Sequence, residues 1–381
     1  MIPYGRQEIN DEDIDAVVKT LKSELITQGL AVPKFEANLC RYTGSKFSVV
    51  TSSATSALHI ACLALGLKKD DIVWTSPITF VASANCARYC GAKIDFVDVE
   101  PETGLMSVTC LREKLEHAER KGLLPKIVIP VHLAGQPCDM KEIHSLSIKY
   151  DFKIIEDAAH AVGAKYLNSN IGNCVFSDIT VFSFHPVKII TTGEGGAAMT
   201  NSTVLDSKMK LLRSHGVTRD TKLMSKKDGP WYYEQVCLGY HYRMTDINAA
   251  LGVSQLKRLG KFIAKRRKIF DWYSERIKNS SIGERFNVLN QKPDRESSHH
   301  LFIVQLKKDG NNANIHQQMI DMGVGVNLHY IPVYKHPNFE NQESLVGAEI
   351  YYKRSMSLPI FPTISNHERN KVADCLEKIL V

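Results

Sequence analysis

The sequence predicts an α/β protein built on a mostly parallel central sheet with helices on both faces, followed by a smaller C-terminal α+β unit. Two observations predict it: short apolar runs alternate with helix-length segments through the first two-thirds of the chain, and the alternation stops near Asn248. Strands separated by helical segments can cross over and pair in parallel, and strands covered on both faces read as continuous apolar runs. The strand candidates are 47–50, 72–74, 93–97, 127–131, 152–157 and 179–184, the last running on toward Lys188. Beyond Asn248 the pattern predicts one long helix, strands at 300–306 and 324–330, and a terminal helix. The chain is therefore expected to divide into a large unit, 1–247, with an N-terminal entry segment, and a small unit, 248–381.

Composition narrows the class. At 381 residues and 44% hydrophobic the chain can bury a large core. No apolar run approaches the roughly 20 residues needed to span a bilayer, so a cytoplasmic protein without membrane partners is expected. Nine cysteines without paired C-x-x-C spacing argue against a disulfide framework and against a zinc site. Cys86 and Cys90 stand one helical turn apart and read as small buried hydrophobes. The formal charge of +7 is densest at Lys257-Arg258, Lys261 and 265–268. That run alternates with Leu256, Leu259, Phe262, Ile263, Ile269 and Phe270, so it reads as the solvated face of an amphipathic helix, and no nucleic-acid partner is expected.

Chemistry enters with two residues. Asp157 closes the apolar run 152–157, and thirty-one positions later Lys188 precedes Thr191-Thr192-Gly193-Glu194-Gly195-Gly196. A carboxylate that keeps a pyridinium nitrogen protonated and a lysine amine that bonds to an aldehyde carbon are the two groups pyridoxal phosphate requires. Distant strands of one parallel sheet can bring both to a common crevice, because their carboxyl ends lie side by side. Ser52-Ser53-Ala54-Thr55-Ser56 follows a strand and opens a helix at 57–65, where free amides and hydroxyls can hold a phosphate; Ser or Thr as a plain N-cap is the alternative use.

The stretches Glu156-Asp157-Ala158-Ala159-His160-Ala161 and Phe182-Ser183-Phe184-His185 through Lys188 to Gly196 resemble the two signatures of the DegT/DnrJ/EryC1/StrS sugar aminotransferases. The resemblance runs nearly end to end, through Ile2-Pro3-Tyr4-Gly5-Arg6-Gln7, Leu25 to Gly29, Pro77-Ile78-Thr79-Phe80, Pro130 to Pro137, Arg213 to Gly216, Gly239 to Met244, His329 to Pro332 and Leu358-Pro359. It implies the fold type I, aspartate aminotransferase-like architecture, with pyridoxal 5′-phosphate as cofactor and ping-pong amino transfer. The segment Gly229 to Gln235 is similar to a subgroup that aminates C4 of a UDP-linked 4-keto-6-deoxy-N-acetylhexosamine on the way to pseudaminic acid. The resemblance therefore implies a nucleotide-linked keto sugar and an amino-acid donor, by family habit L-glutamate, as partners.

By the same resemblance Lys188 and Asp157 are catalytic, and Ser53, Ala54, Thr55, Phe80, His160 and Ser183 bind the cofactor. Phe80 corresponds to the aromatic stacked on the ring, and Ser183 to a second hydroxyl on the phosphate. Tyr4, Arg6, Gln28, His329 and Tyr330 are the expected substrate contacts. His241 stands where many members have asparagine reaching the phosphate in the neighbouring subunit, which implies a homodimer with shared sites. A dehydratase on the same fold would carry histidine where this chain has Lys188. A sensor would normally carry an added DNA-binding domain, for which no residues are expected to remain. A nicotinamide dehydrogenase is disfavoured because 193–196 lacks the G-x-G-x-x-G spacing.

Overall fold

The computed structural model describes residues 1–308, 310, 312–339 and 343–379. Seven strands form the large sheet: β1 Phe47–Thr51, β2 Ile72–Thr75, β3 Lys93–Phe96, β4 Ile127–Ile129, β5 Lys153–Asp157, β6 Ile179–Ser183 and β7 Gly196–Thr200. Their order is β1-β7-β6-β5-β4-β2-β3. Strands β3, β2, β4, β5 and β6 pair in parallel, and β7 runs antiparallel between β6 and β1. All six expected strands are present, but β7 was not expected. Its sequence, Gly196-Ala-Ala-Met-Thr200, lacks the bulky β-branched residues that mark a strand. The short link from β6 holds no crossover helix, so the chain returns antiparallel.

Around this sheet lie α2 Ala31–Thr43, α3 Ala54–Ala64, α4 Ala82–Tyr89, α5 Val108–Lys121, α6 Met140–Tyr150, α7 Thr203–Arg213 and α8 Asp246–Lys257, and α1 Asp11–Leu21 packs on α8. Alternate strand residues serve two cores. Val50, Trp74, Val128, Ile154, Phe182 and Ala197 pack with Phe35 of α2, Leu115 of α5 and Ile143 of α6. Their neighbours Val49, Val73, Ile127, Ile155, Val181 and Ala198 pack with Ile60 of α3, Cys86 of α4 and Met209 of α7. A sheet whose faces both need cover explains why the strands read as unbroken apolar runs.

A second, antiparallel sheet consists of β8 Phe286–Val288, β9 Phe302–Leu306 and β10 Ser355–Leu358. It packs with α9, Leu259–Lys278, and with the terminal helix Asn366–Lys378, and Ile2 of the entry segment joins that core. The single long helix expected after Asn248 is two helices, α8 and α9, joined at Arg258. The strand expected at 324–330 does not form; among the described residues the segment pairs through isolated bridges, Val324 with Ile2 and Asn327 with Ser357. There His329 and Tyr330 line a cavity instead of alternating across a sheet.

The basic run is only partly solvated. Arg266 shares the inward stripe of Phe262, Ile269 and Tyr273, and its guanidinium donates to the carbonyls of His299, His300 and Ile360. Arg258 pairs with Glu8 and Asp13, tying α9 to α1 and the entry segment. Among the described residues no helix is long and apolar enough to cross a membrane.

Candidate active site

The carboxyl ends of β1, β2, β5 and β6 open on one edge of the large sheet, where a cavity of about 680 Å³ is closed on its far side by Asn327, His329 and Tyr330. Register places the groups. Asp157 ends β5 opposite Val181 of β6, and Ser183 follows two residues on, so both reach the same edge. The reading of 181–188 as one strand is corrected: β6 stops at Ser183, and Lys188 stands in the turn that follows, its amide donating to the carbonyl of His185 at 2.9 Å. The turn carries the lysine off the sheet edge and into the cavity above Asp157.

Burial lowers the Lys188 ammonium to about 8, against the opposing pull of the Asp157 charge. A neutral amine is thus accessible near neutral pH, as a nucleophile requires. Asp157 is buried and accepts two protein hydrogen bonds, from the Ser83 hydroxyl at 2.6 Å and the Ala159 amide at 3.0 Å.

His160 is buried beside them. The Ala134 amide donates to its Nδ1 at 3.3 Å, which leaves the proton on Nε2, and Nε2 faces the Tyr330 hydroxyl at 3.0 Å. Tyr330 therefore accepts from His160 and keeps its own proton for whatever enters the cavity. Burial, and then the nearby Lys188 charge, hold His160 far below the ordinary histidine range; the same two causes bring His329 to about 3. Both imidazoles are neutral, and the Lys188 amine shares the cavity with them.

At the opposite end stands the N-terminus of α3. Ser53 caps it by accepting from the Ser56 amide, so the N-cap reading is correct as far as it goes. The amides of Ala54 and Thr55 precede the first intrahelical bond and face the cavity, free for an anion. The glycine signature explains itself here. A Cβ on Gly196 would lie 2.5 Å from Ser53 C and Ala54 N, and one on Gly195 would lie 2.2 Å from Thr192 Oγ1. Only glycine lets β7 pass directly behind the anion cradle.

The structure brings together Tyr4, Ser53, Ala54, Thr55, Phe80, Asp157, His160, Ser183, Lys188, His329 and Tyr330 around this cavity. Phe80 is 60% exposed at its wall, free to stack on a planar ring. Three expected residues lie elsewhere in this chain. Arg6 is exposed near Glu368 of the terminal helix. Gln28 lines a smaller cavity, about 190 Å³, with Glu36, Arg213 and Arg243. His241 is exposed and stacks on His215, ring centroids 5.2 Å apart. Sequence reasoning missed Asn327, hidden inside the misread strand, and Ser83, whose only signal is its place one helical turn after Thr79.

A carboxylate, an amine of lowered pKa, a flat aromatic wall and a helix N-terminus match the ring nitrogen, aldehyde, ring face and phosphate of pyridoxal phosphate in turn, and that is the cofactor the site fits. Comparison with known proteins agrees. The DegT/DnrJ/EryC1/StrS aminotransferase family model matches residues 7–377. The UDP-4-amino-4,6-dideoxy-N-acetyl-beta-L-altrosamine transaminase of Campylobacter jejuni is 36% identical over 385 residues, covering 100% of this chain and 98% of the relative. Among solved structures, PseC of Helicobacter pylori, an aminotransferase involved in the biosynthesis of pseudoaminic acid, superposes with a TM-score of 0.89 at 29% identity, covering 100% of this chain and 99% of that one. The PLP form of a Streptococcus pneumoniae protein assigned as a sugar aminotransferase gives 0.89 at 28% identity, covering 100% and 98%.

The fold and the site thus define a fold type I transaminase that uses pyridoxal 5′-phosphate. The chain belongs to the DegT/DnrJ/EryC1/StrS aminotransferase family.

Proposed function

We propose that this enzyme moves an amino group from an amino acid, L-glutamate by family habit, to C4 of a UDP-linked 4-keto-6-deoxy-N-acetylhexosamine, the amination step of pseudaminic acid formation. The observation that carries the substrate is the 36% identity, spread over the whole chain, to a transaminase named for that product. Bound pyridoxal phosphate supplies the electron sink for breaking and making the C–H bond beside the transferred nitrogen. The chain's own residues do the rest. Lys188, released as a neutral amine, takes the proton from the donor's α carbon and later returns one to sugar C4. Asp157 holds the ring nitrogen's proton. The α3 amides and Ser183 anchor the phosphate, so the reacting atoms stay in register with Lys188. Tyr330, already accepting from His160, offers its hydroxyl proton to an oxygen of the substrate.

The sugar nucleotide enters past Tyr4, Asn327 and His329. We further propose a homodimer in which His241 serves the neighbouring site. Its support is a set of large apolar side chains left bare: Leu30 is 88% exposed, Leu238 76% and Trp231 70%, surface that a second copy would cover. Arg6 and Gln28, which do not line the cavity of their own chain, would become substrate contacts across such an interface.

The reading is tested by assaying purified enzyme with L-glutamate against UDP-linked, dTDP-linked and GDP-linked 4-keto sugars. Preference for the UDP-linked N-acetylhexosamine is expected. Turnover confined to dTDP- or GDP-linked sugars would move the enzyme to another branch of the family, and loss of water from the sugar without amination would make it a dehydratase.

A further inference from the structure

We propose that Ser83, backed by Thr79, is a positioning residue that orients the Asp157 carboxylate and turns its free lone pairs into the cavity, toward the cofactor's ring nitrogen. Ser83 is fully buried on α4, and its hydroxyl lies 2.6 Å from Asp157 Oδ2 but 3.4 Å from the Phe80 carbonyl. A serine hydroxyl has one proton, and the short contact takes it. Thr79 Oγ1, 2.8 Å from Ser83 Oγ, must then be the donor in its own contact. The result is a directed chain, Thr79 to Ser83 to Asp157, in which each hydroxyl polarises the next. The Ala159 amide occupies the other carboxylate oxygen at 3.0 Å. Each oxygen of Asp157 therefore has one protein donor behind it and lone pairs left on the cavity side.

The consequence is chemical. A proton shared between Asp157 and the cofactor's ring nitrogen settles on the more basic partner. Hydrogen bonds to the charged carboxylate make it a weaker base and leave the proton on nitrogen, where the electron sink needs it. Without Ser83, Asp157 takes more of that proton and the ring nitrogen loses it. The inference rests on the reading that Asp157 faces the ring nitrogen, and the test separates the two.

Holoenzyme is reconstituted with pyridoxal phosphate isotopically labelled at the ring nitrogen, whose NMR shift at neutral pH reports its protonation. In Ser83→Ala the shift is expected to move toward the unprotonated value, with kcat lower by about tenfold to a hundredfold and KM for the amino donor changed by less than about threefold. A merely structural role would lower cofactor occupancy without moving the shift of the cofactor that remains bound. Should Ser83→Ala not fold, Ser83→Cys keeps the volume with a weaker donor, and a smaller move in the same direction is expected. Asp157→Asn provides the reference. If it moves the shift and the Ser83 variants do not, the role of Ser83 is overturned alone; if it too leaves the shift unchanged, the placing of Asp157 at the ring nitrogen fails with it.

Discussion

At Lys188 burial sets the charge of a reacting group. The unfolded chain holds a lysine proton up to the ordinary value of 10.5, whereas the folded cavity releases it at about 8. Between those values the unfolded state binds more protons, so the apoenzyme gains stability as pH rises from about 8, and below that the buried charge works against the fold. The same shift governs reactivity, because only the neutral amine attacks an aldehyde. The rate at which apoenzyme captures pyridoxal phosphate is therefore expected to rise with pH around a midpoint near 8, followed by the absorbance of the bound cofactor. A midpoint at the ordinary lysine value would show that the cavity does not desolvate this amine. Lys188 and Asp157 were legible in the sequence because their chemistry is rare in combination. Ser83 was not, since one serine a turn after a threonine looks like any other helical pair until the fold sets it against a carboxylate.

At the scale of elements, the site is a meeting of strand ends with one helix start. The strands β1 to β6 were legible because burial on both faces demands unbroken apolar runs, and register then follows from pairing. Strand β7 was illegible for the reason that makes it useful: Gly196 must be bare so that β7 can lie against the first residues of α3. Gly196→Ala places a methyl 2.5 Å from backbone atoms of Ser53 and Ala54, which cannot move like the end of a flexible side chain. The variant is expected to lose about 1–3 kcal/mol of stability and to bind pyridoxal phosphate at least about tenfold more weakly, measured by thermal unfolding of the apoenzyme and by cofactor titration. Unaltered cofactor affinity would mean that the α3 terminus is not the phosphate cradle. Arg266 carries a similar lesson. The sequence reading places it with the rest of the basic run on the solvated face, whereas the fold turns it inward beside Phe262, Ile269 and Tyr273, where three backbone carbonyls accept from its guanidinium.

The whole molecule has its cavity lined by Lys188, Asp157 and the start of α3, with His241 outside it, and leaves Leu30, Trp231 and Leu238 bare. A second copy of this chain would cover that surface and bring His241 to the neighbouring site. Lys188→Ala and His241→Ala are each expected to be inactive, and mixing them under subunit exchange should restore activity, because one site of the hybrid has both Lys188 and the partner's contact. Confirmed heterodimers without recovery would leave His241 a surface residue of its own chain. None of this assembly is readable from spacing or periodicity, which describe one chain's contacts with itself; it entered through resemblance alone. The central claim concerns one atom's path, and the most direct measurement follows it. Enzyme incubated with L-glutamate labelled at its amino nitrogen and a UDP-linked 4-keto-6-deoxy-N-acetylhexosamine is expected to deliver the label to C4 of the sugar over many turnovers, and Lys188→Ala none. An unlabelled sugar, or a Lys188→Ala variant that keeps turning over, would contradict the account.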